Sequence, residues 1–181
     1  MGFASGLPLL LTGSVLQAWM TDAGVSLDAV GLLALVGLPY TLKFLWAPLL
    51  DRIMPPVLGR RRGWLMIAQL TLTALIALLA LQDPHMSPLT MGAIALAVSF
   101  FSATQDIVID AYRCEHLPDN ELGLGSSFYV YGYRIGMLMA SAGGLVLADM
   151  IGFRVTYLIM AATLGACMLV TLLAPEPEAQ A

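Results

Sequence analysis

Four ionisable side chains lie inside long apolar stretches of this sequence: Lys43, Asp106, Asp110 and Arg134. A charge within a bilayer is costly unless it is paired or hydrated, so each marks a candidate ion or substrate path. Lys43 lies eight residues before Asp51, a depth of about 12 Å at ~1.5 Å rise per residue. Asp106 lies about 10 Å before Arg113, and Arg134 about 15 Å after Leu124, on the same rise. Two cations and one carboxylate therefore share a layer. Ser102, Asp106, Asp110 and Arg113 recur at spacings of four, four and three, which puts them on one helical face. Neighbouring cations favour an ionised carboxylate, while desolvation disfavours it. Held between those effects, Asp106 can take up and release protons as a cavity opens to each side, with Arg134 and Lys43 as its cationic neighbours. The competing reading is that these charges neutralise one another and lock helix packing. Asp110 and Arg113, nearer a surface, suit a gate or a structural tie.

The elements that must position these residues follow from composition. Hydrophobic residues make up 59% of the chain and charged residues only 11%, too few charges to cover a soluble domain. A spanning helix needs about 20 mostly apolar residues. Six stretches qualify, over 1–20, 29–50, 64–82, 87–113, 124–148 and 153–173. Turn-forming clusters separate them, among them Met54, Pro55, Pro56 and Leu117, Pro118, Asp119, Asn120. The segment 174–181, rich in Pro and Glu, reads as the start of a linker. Arg52, Arg60, Arg61 and Arg62 crowd the connection 51–63, whereas the connections around Asp22 and Asp83 carry no Lys or Arg. The positive-inside rule places 51–63 and the C-terminus in the cytoplasm. Trp19, Trp46 and Trp64 fall near span ends, as headgroup anchors do.

No basic footprint for nucleic acid is present. Cys114 and Cys167 lack metal-ligand spacing, and His85 and His116 fall in loops. No metal and no cofactor is expected. Gly2 and Gly6, Gly132 and Gly136, and Ala140 and Gly144 are four apart, which permits close helix approach in lipid. Pro8, Pro39 and Pro48 sit within spans and are expected to bend them. Asp51, Gly59 and Arg60 to Arg62 before Trp64 are echoed by Asp149, Gly152 and Arg154 before Tyr157. The echo favours two three-helix units of inverted topology. With Met1 directly on a span and a short acidic tail after the last one, the sequence reads as part of a longer chain.

Ala47, Pro48, Leu49, Leu50, Asp51, Arg52 followed by Gly59, Arg60, Arg61, Arg62 resembles the major facilitator signature G-x-x-x-D-R-x-G-R-R. Ala47 replaces its leading Gly, and extra residues precede Gly59. The stretches Gly2 to Pro8, Leu16 to Met20, Lys43 to Leu49, Gly59 to Trp64, Gln105 to Ala111 and Gly132 to Met137 are similar to the AmpG-type muropeptide permeases. The resemblance covers nearly the whole chain, in order.

It implies an all-α integral membrane fold, the N-terminal half of a major facilitator carrier. It further implies proton-driven import of GlcNAc-anhydroMurNAc and its peptides across the bacterial inner membrane, for cell-wall recycling and linked to β-lactam resistance. The expected partners are the bilayer, a C-terminal six-helix half and the muropeptide. Asp106, Arg134 and Lys43 are the expected proton-coupling set. Asp51, Arg52, Gly59, Arg60, Arg61, Arg62, Asp110 and Arg113 are the expected cytoplasmic gate. Gln17, Gln105, Tyr131 and Tyr133 are the substrate-binding candidates. The alternative is a major facilitator carrier of another cargo, such as acetyl-CoA or a sugar. Two further rivals are a membrane sensor or scaffold and an intramembrane enzyme using the Asp106 and Asp110 pair. The enzyme lacks a second acidic cluster.

Overall fold

The computed structural model describes residues 1–56 and 58–177. Of the expected linker 174–181, residues 178–181 lie outside the described residues. Among the described residues, six helices are long and apolar enough to cross a membrane. They are α1 (Gly2–Asp22), α2 (Leu27–Leu45), α3 (Arg60–Ala80), α4 (Pro88–His116), α5 (Leu122–Ile151) and α6 (Phe153–Leu173). The described chain contains no strand, in keeping with the all-α reading.

Helix ends follow the local chemistry. Pro88 opens α4, where its missing N–H costs nothing. Pro118 and Pro175 follow the ends of α4 and α6, which they cannot extend. α4 has 29 residues, a length of about 43 Å at ~1.5 Å each. That exceeds the ~30 Å hydrocarbon core, so its last turns, from Asp110 onward, reach the headgroup zone.

The span expected over 29–50 is broken. α2 ends at Leu45, and a separate short helix, Ala47–Arg52, follows Trp46. Pro39 and Pro48 explain this: each sits in the first turn of its own helical piece, Leu38–Leu42 and Ala47–Arg52. Tighter 3-10 turns join the pieces at Leu32–Gly37 and Lys43–Leu45. Trp19, near the end of α1, turns into the bundle. It is buried and stacks on Phe153, with ring centroids 5.8 Å apart.

α1 runs through the centre of the bundle. It gives Ala4, Leu7, Leu11, Val15, Leu16, Trp19 and Met20 to one core, which Leu72, Ile76 and Leu79 of α3, Val98 of α4 and Met160 and Leu164 of α6 complete. The tightest approach is between α1 and α5. A Cβ on Gly2 would run into the Tyr129 carbonyl, one on Gly6 into the Tyr133 carbonyl, and one on Gly136 into the Phe3 carbonyl. The glycine pairs therefore bring two backbones into contact, as small residues do in lipid. Both helices widen to π-type turns further along, over Leu11–Val15 and Met139–Gly143, and these turns pack on one another. Tyr157 of α6 donates a 2.7 Å hydrogen bond to the Leu11 carbonyl there.

The repeat echo has a structural counterpart. Gly59 and Gly152 cap the N-termini of α3 and α6 with φ of 83° and 85°, a region that favours glycine. The two helices have 21 residues each and pack extensively against each other.

Candidate functional site

α4 carries a polar stripe through the bundle: Ser99, Ser102, Gln105 and Asp106, all buried. The spacing of three to four residues keeps them on one side of the helix, facing α1, α2 and α5 rather than lipid. Asp106 is 7% exposed, and its Oδ1 has no hydrogen-bond partner in the protein. From α1, Ser5 lies beside it, and Gln105 Nε2 reaches the Ser5 hydroxyl at 3.5 Å. From α2 come Lys43, whose charge acts on Asp106, and Tyr40, whose hydroxyl faces Ser99 and Ser102. From α5 come Tyr129 and Tyr133. The glycine contact positions those tyrosines, since Gly2 and Gly6 admit the backbone of Tyr129 and Tyr133 against α1.

The structure thus brings Gln105 and Tyr133 to Asp106, and it places Lys43 near enough for its charge to act there without an ion pair among the described residues. It does not bring Arg134, Gln17 or Tyr131. Arg134 is exposed on a neighbouring face of α5 and lines a cavity of about 220 Å³ with Leu10, Met137, Leu138 and Ser141. No ion pair joins it to Asp106 among the described residues. One residue along a helix is a turn of about 100°, and on α5 that turn carries Arg134 to the exposed side. Tyr131 is 68% exposed and borders a shallow cavity with Leu124, Ser127 and Phe128. Gln17 is exposed on α1, twelve residues beyond Ser5, about 18 Å away along the axis.

A charged network closes one end of the bundle. Arg61 is its hub: the side chain is 6% exposed and pairs with Asp51 at 2.7 Å. It also engages both oxygens of Glu115, with Nε donating to Oε2 at 2.9 Å and Nη2 to Oε1. Arg60 reaches the same Glu115 at 2.9 Å. Glu176, in the tail after α6, accepts from the backbone N–H groups of Arg61 and Arg62 at 2.8 and 2.9 Å. A carboxylate there satisfies two orphan donors and meets the positive end of the helix dipole. It also lies over Gly59, where a Cβ would meet it. Arg62 donates to the Thr171 and Leu172 carbonyls at the end of α6, and the Tyr112 hydroxyl donates to the Pro175 carbonyl. Arg113 pairs with Asp110 at 3.1 Å and lies 4.7 Å from the Tyr129 ring centroid. Arg52 is exposed and makes no ion pair among the described residues.

Glu115, Glu176, Tyr40 and Tyr112 are the contributors that sequence reasoning missed. An acidic residue at the same bilayer face as four arginines was the available signal for Glu115. For Glu176 it was a carboxylate just past a helix that ends beside the arginine-rich helix start.

Among the described residues no group of three His, Cys, Asp or Glu gathers to hold a metal. An orphan carboxylate oxygen within the field of a lysine is suited to exchanging a proton, and the arginine network to holding helix ends together.

The Major Facilitator Superfamily profile matches residues 1–181. The chain is 48% identical over 178 residues to the anhydromuropeptide permease of Escherichia coli K12, covering 98% of this chain and 36% of that protein. It is 46% identical to an uncharacterized protein of Haemophilus influenzae, covering 98% of this chain and 42% of that one. It is 35% identical over 176 residues to the putative transporter AmpG 1 of Rickettsia typhi, covering 95% of this chain and 40% of that protein. The chain therefore spans roughly two fifths of the length of the relatives it matches.

Proposed function

The chain belongs to the Major Facilitator Superfamily, and from that membership we propose that it forms the N-terminal six-helix half of a proton-coupled importer of anhydromuropeptides. The cargo is GlcNAc-anhydroMurNAc with or without its peptide, taken across the bacterial inner membrane. The observation that carries the reading is Asp106: a carboxylate buried in the bundle, with an unpartnered oxygen, within the field of Lys43 and among Ser5, Gln105 and Tyr133. The similarity to the E. coli permease supports the cargo.

In this reading Asp106 gains a proton on the side of higher proton activity and loses it on the other. Lys43 steadies the ionised form. Gln105 and Tyr133 offer the amide and hydroxyl chemistry that a sugar or peptide needs. Asp51, Arg60, Arg61, Arg62 and Glu115 form a cytoplasmic gate that must part when the carrier opens inward. The distribution of charge supports that orientation. Arg52, Arg60, Arg61, Arg62 and Arg113 lie at one end of the bundle and Arg154 at the other. The path runs between this half and a second, C-terminal half.

The test is uptake of labelled GlcNAc-anhydroMurNAc-tripeptide into cells lacking their own permease. The complete carrier should take it up, and a protonophore should stop it. A well-expressed carrier that takes up none would withdraw the cargo and leave a major facilitator protein for another solute.

A further inference from the structure

Five buried polar atoms in one part of the bundle lie near other polar groups but make no well-aligned hydrogen bond within 3.5 Å: the hydroxyls of Tyr40, Ser99 and Ser102, Gln105 Oε1 and Asp106 Oδ1. Ser99, Ser102 and Gln105 are fully buried. Four of these atoms lie along α4, from Ser99 to Asp106, a span of about 10 Å. Tyr40 faces Ser99 and Ser102 from α2.

Elsewhere in the bundle, several buried hydroxyls are satisfied. Thr12 donates to the Pro8 carbonyl at 2.9 Å, Thr171 to Gln69 Oε1 at 2.9 Å, and Tyr157 to the Leu11 carbonyl at 2.7 Å. The other unpartnered buried side chains are Gln69 and Thr73 on α3 and Arg113 near the end of α4. The concentration on the Asp106 side of α4 is therefore a local property, and polar atoms without partners point to a ligand that hydrogen-bonds. Gln105 Oε1 and an ionised Asp106 only accept, whereas the three hydroxyls both donate and accept. Water matches that set, since a buried water takes two to four polar partners.

We propose that Tyr40, Ser99 and Ser102 hold a short file of water that carries protons to and from Asp106. The proposal rests on the proton-coupling role of Asp106 given above. Each water or hydroxyl accepts a proton on a lone pair and releases another to the next oxygen. The file is left unchanged, and Asp106 Oδ1 gains or loses one O–H bond. Lys43, Asp110, Tyr129 and Tyr133 also face the carboxylate, with Ser5 from α1. A charged lysine has no acceptor and cannot pass a proton through, so Lys43 sets the field and the hydroxyls set the path.

The test is infrared difference spectroscopy on the full-length carrier in lipid. The Asp106 carboxyl band is identified by its loss in Asp106→Asn, and its hydrogen–deuterium exchange is timed. Tyr40→Phe and the double variant Ser99→Ala/Ser102→Ala should slow exchange at least about tenfold, as expected when a proton-transfer partner is removed. Ser102→Thr keeps the hydroxyl and should exchange like wild type, which separates the file from packing. Unchanged exchange in both deletion variants overturns the file and leaves Asp106 in place. Absence of any band lost in Asp106→Asn overturns the carboxylate reading and the file with it. Neither readout depends on the cargo.

Discussion

Arg60 and Arg61 stand side by side at the start of α3, yet their surroundings give them different weights. Arg61 is nearly enclosed and grips both oxygens of Glu115, whereas the Arg60 side chain is 30% exposed and makes one contact. Removing one partner of a buried pair strands a charge, at a cost of about 3–5 kcal/mol. Glu115 is itself partly exposed and Asp51 still pairs with Arg61, so Glu115→Ala should cost about 3 kcal/mol, the lower end of that range. Arg60→Ala should cost less than about 1 kcal/mol. Unfolding in detergent, followed by tryptophan fluorescence, measures both. Similar losses for the two would contradict the hub role of Arg61. At mid-depth, Asp106→Asn should abolish uphill uptake, preserve exchange of labelled solute down its gradient, and leave the protein folded in the membrane. Proton-driven uptake at wild-type rates would remove the carboxylate from the mechanism. Asp106 was legible in the sequence because a carboxylate in an apolar run is conspicuous. Glu115 was not, since it sits where α4 leaves the hydrocarbon and charges are ordinary there. Its partner Arg61 lies 54 positions away in the chain.

At the scale of the helix, glycine sets the geometry on which the site depends. Gly6 and Gly136 lie where α1 and α5 touch backbone to backbone, so a methyl at either position meets a carbonyl and not a movable side chain. Overpacking of this kind costs typically about 1–3 kcal/mol, and moving α5 outward would also carry Tyr129 and Tyr133 from Asp106. Gly136→Ala should therefore lower both thermal stability and solute affinity. Gly13→Ala, with open space around its Cβ, should change neither measurably. The paired caps allow a finer comparison. Gly152→Ala carries only the strain of a positive φ, about 1–2 kcal/mol. Gly59→Ala carries that strain and also displaces Glu176 from the α3 N-terminus, adding the loss of a helix cap, about 1 kcal/mol. Equal destabilisation of the two in detergent unfolding would show that the Glu176 contact contributes nothing. The four-residue glycine spacing was visible in the sequence, and so was the repeat of Gly59 and Gly152. The irregularity of α2 was legible from Pro39 and Pro48, but not that it is a full break at Trp46, because apolar content continues through Leu49 and Leu50.

The bundle as a whole is unevenly closed. α1 and α4 are mostly buried, but only a small part of α2 and of α5 lies inside the bundle. Exposed leucine carries no penalty in lipid, whose tails are as apolar as leucine itself, so exposure alone does not say which faces meet lipid. Polar content does. The outer face of α6 presents Leu158, Leu169, Val170 and Leu173, whereas α5 presents Tyr131 and Arg134 beside Phe128. An arginine at that depth needs water or a polar partner. The α5 face is thus suited to the translocation path and the second half of the carrier, and α6 to the bilayer. With Cys114 and Cys167 replaced by alanine, a fluorophore can be attached at Tyr131→Cys or at Leu169→Cys. Brominated lipids should quench both in the six-helix unit alone. In the complete carrier they should quench only the label at position 169, because the second half shields α5. Equal quenching at both positions in the complete carrier would place the second half against another face, and the path would then have to be sought along α2 and α4, where Tyr40 and Lys43 approach Asp106.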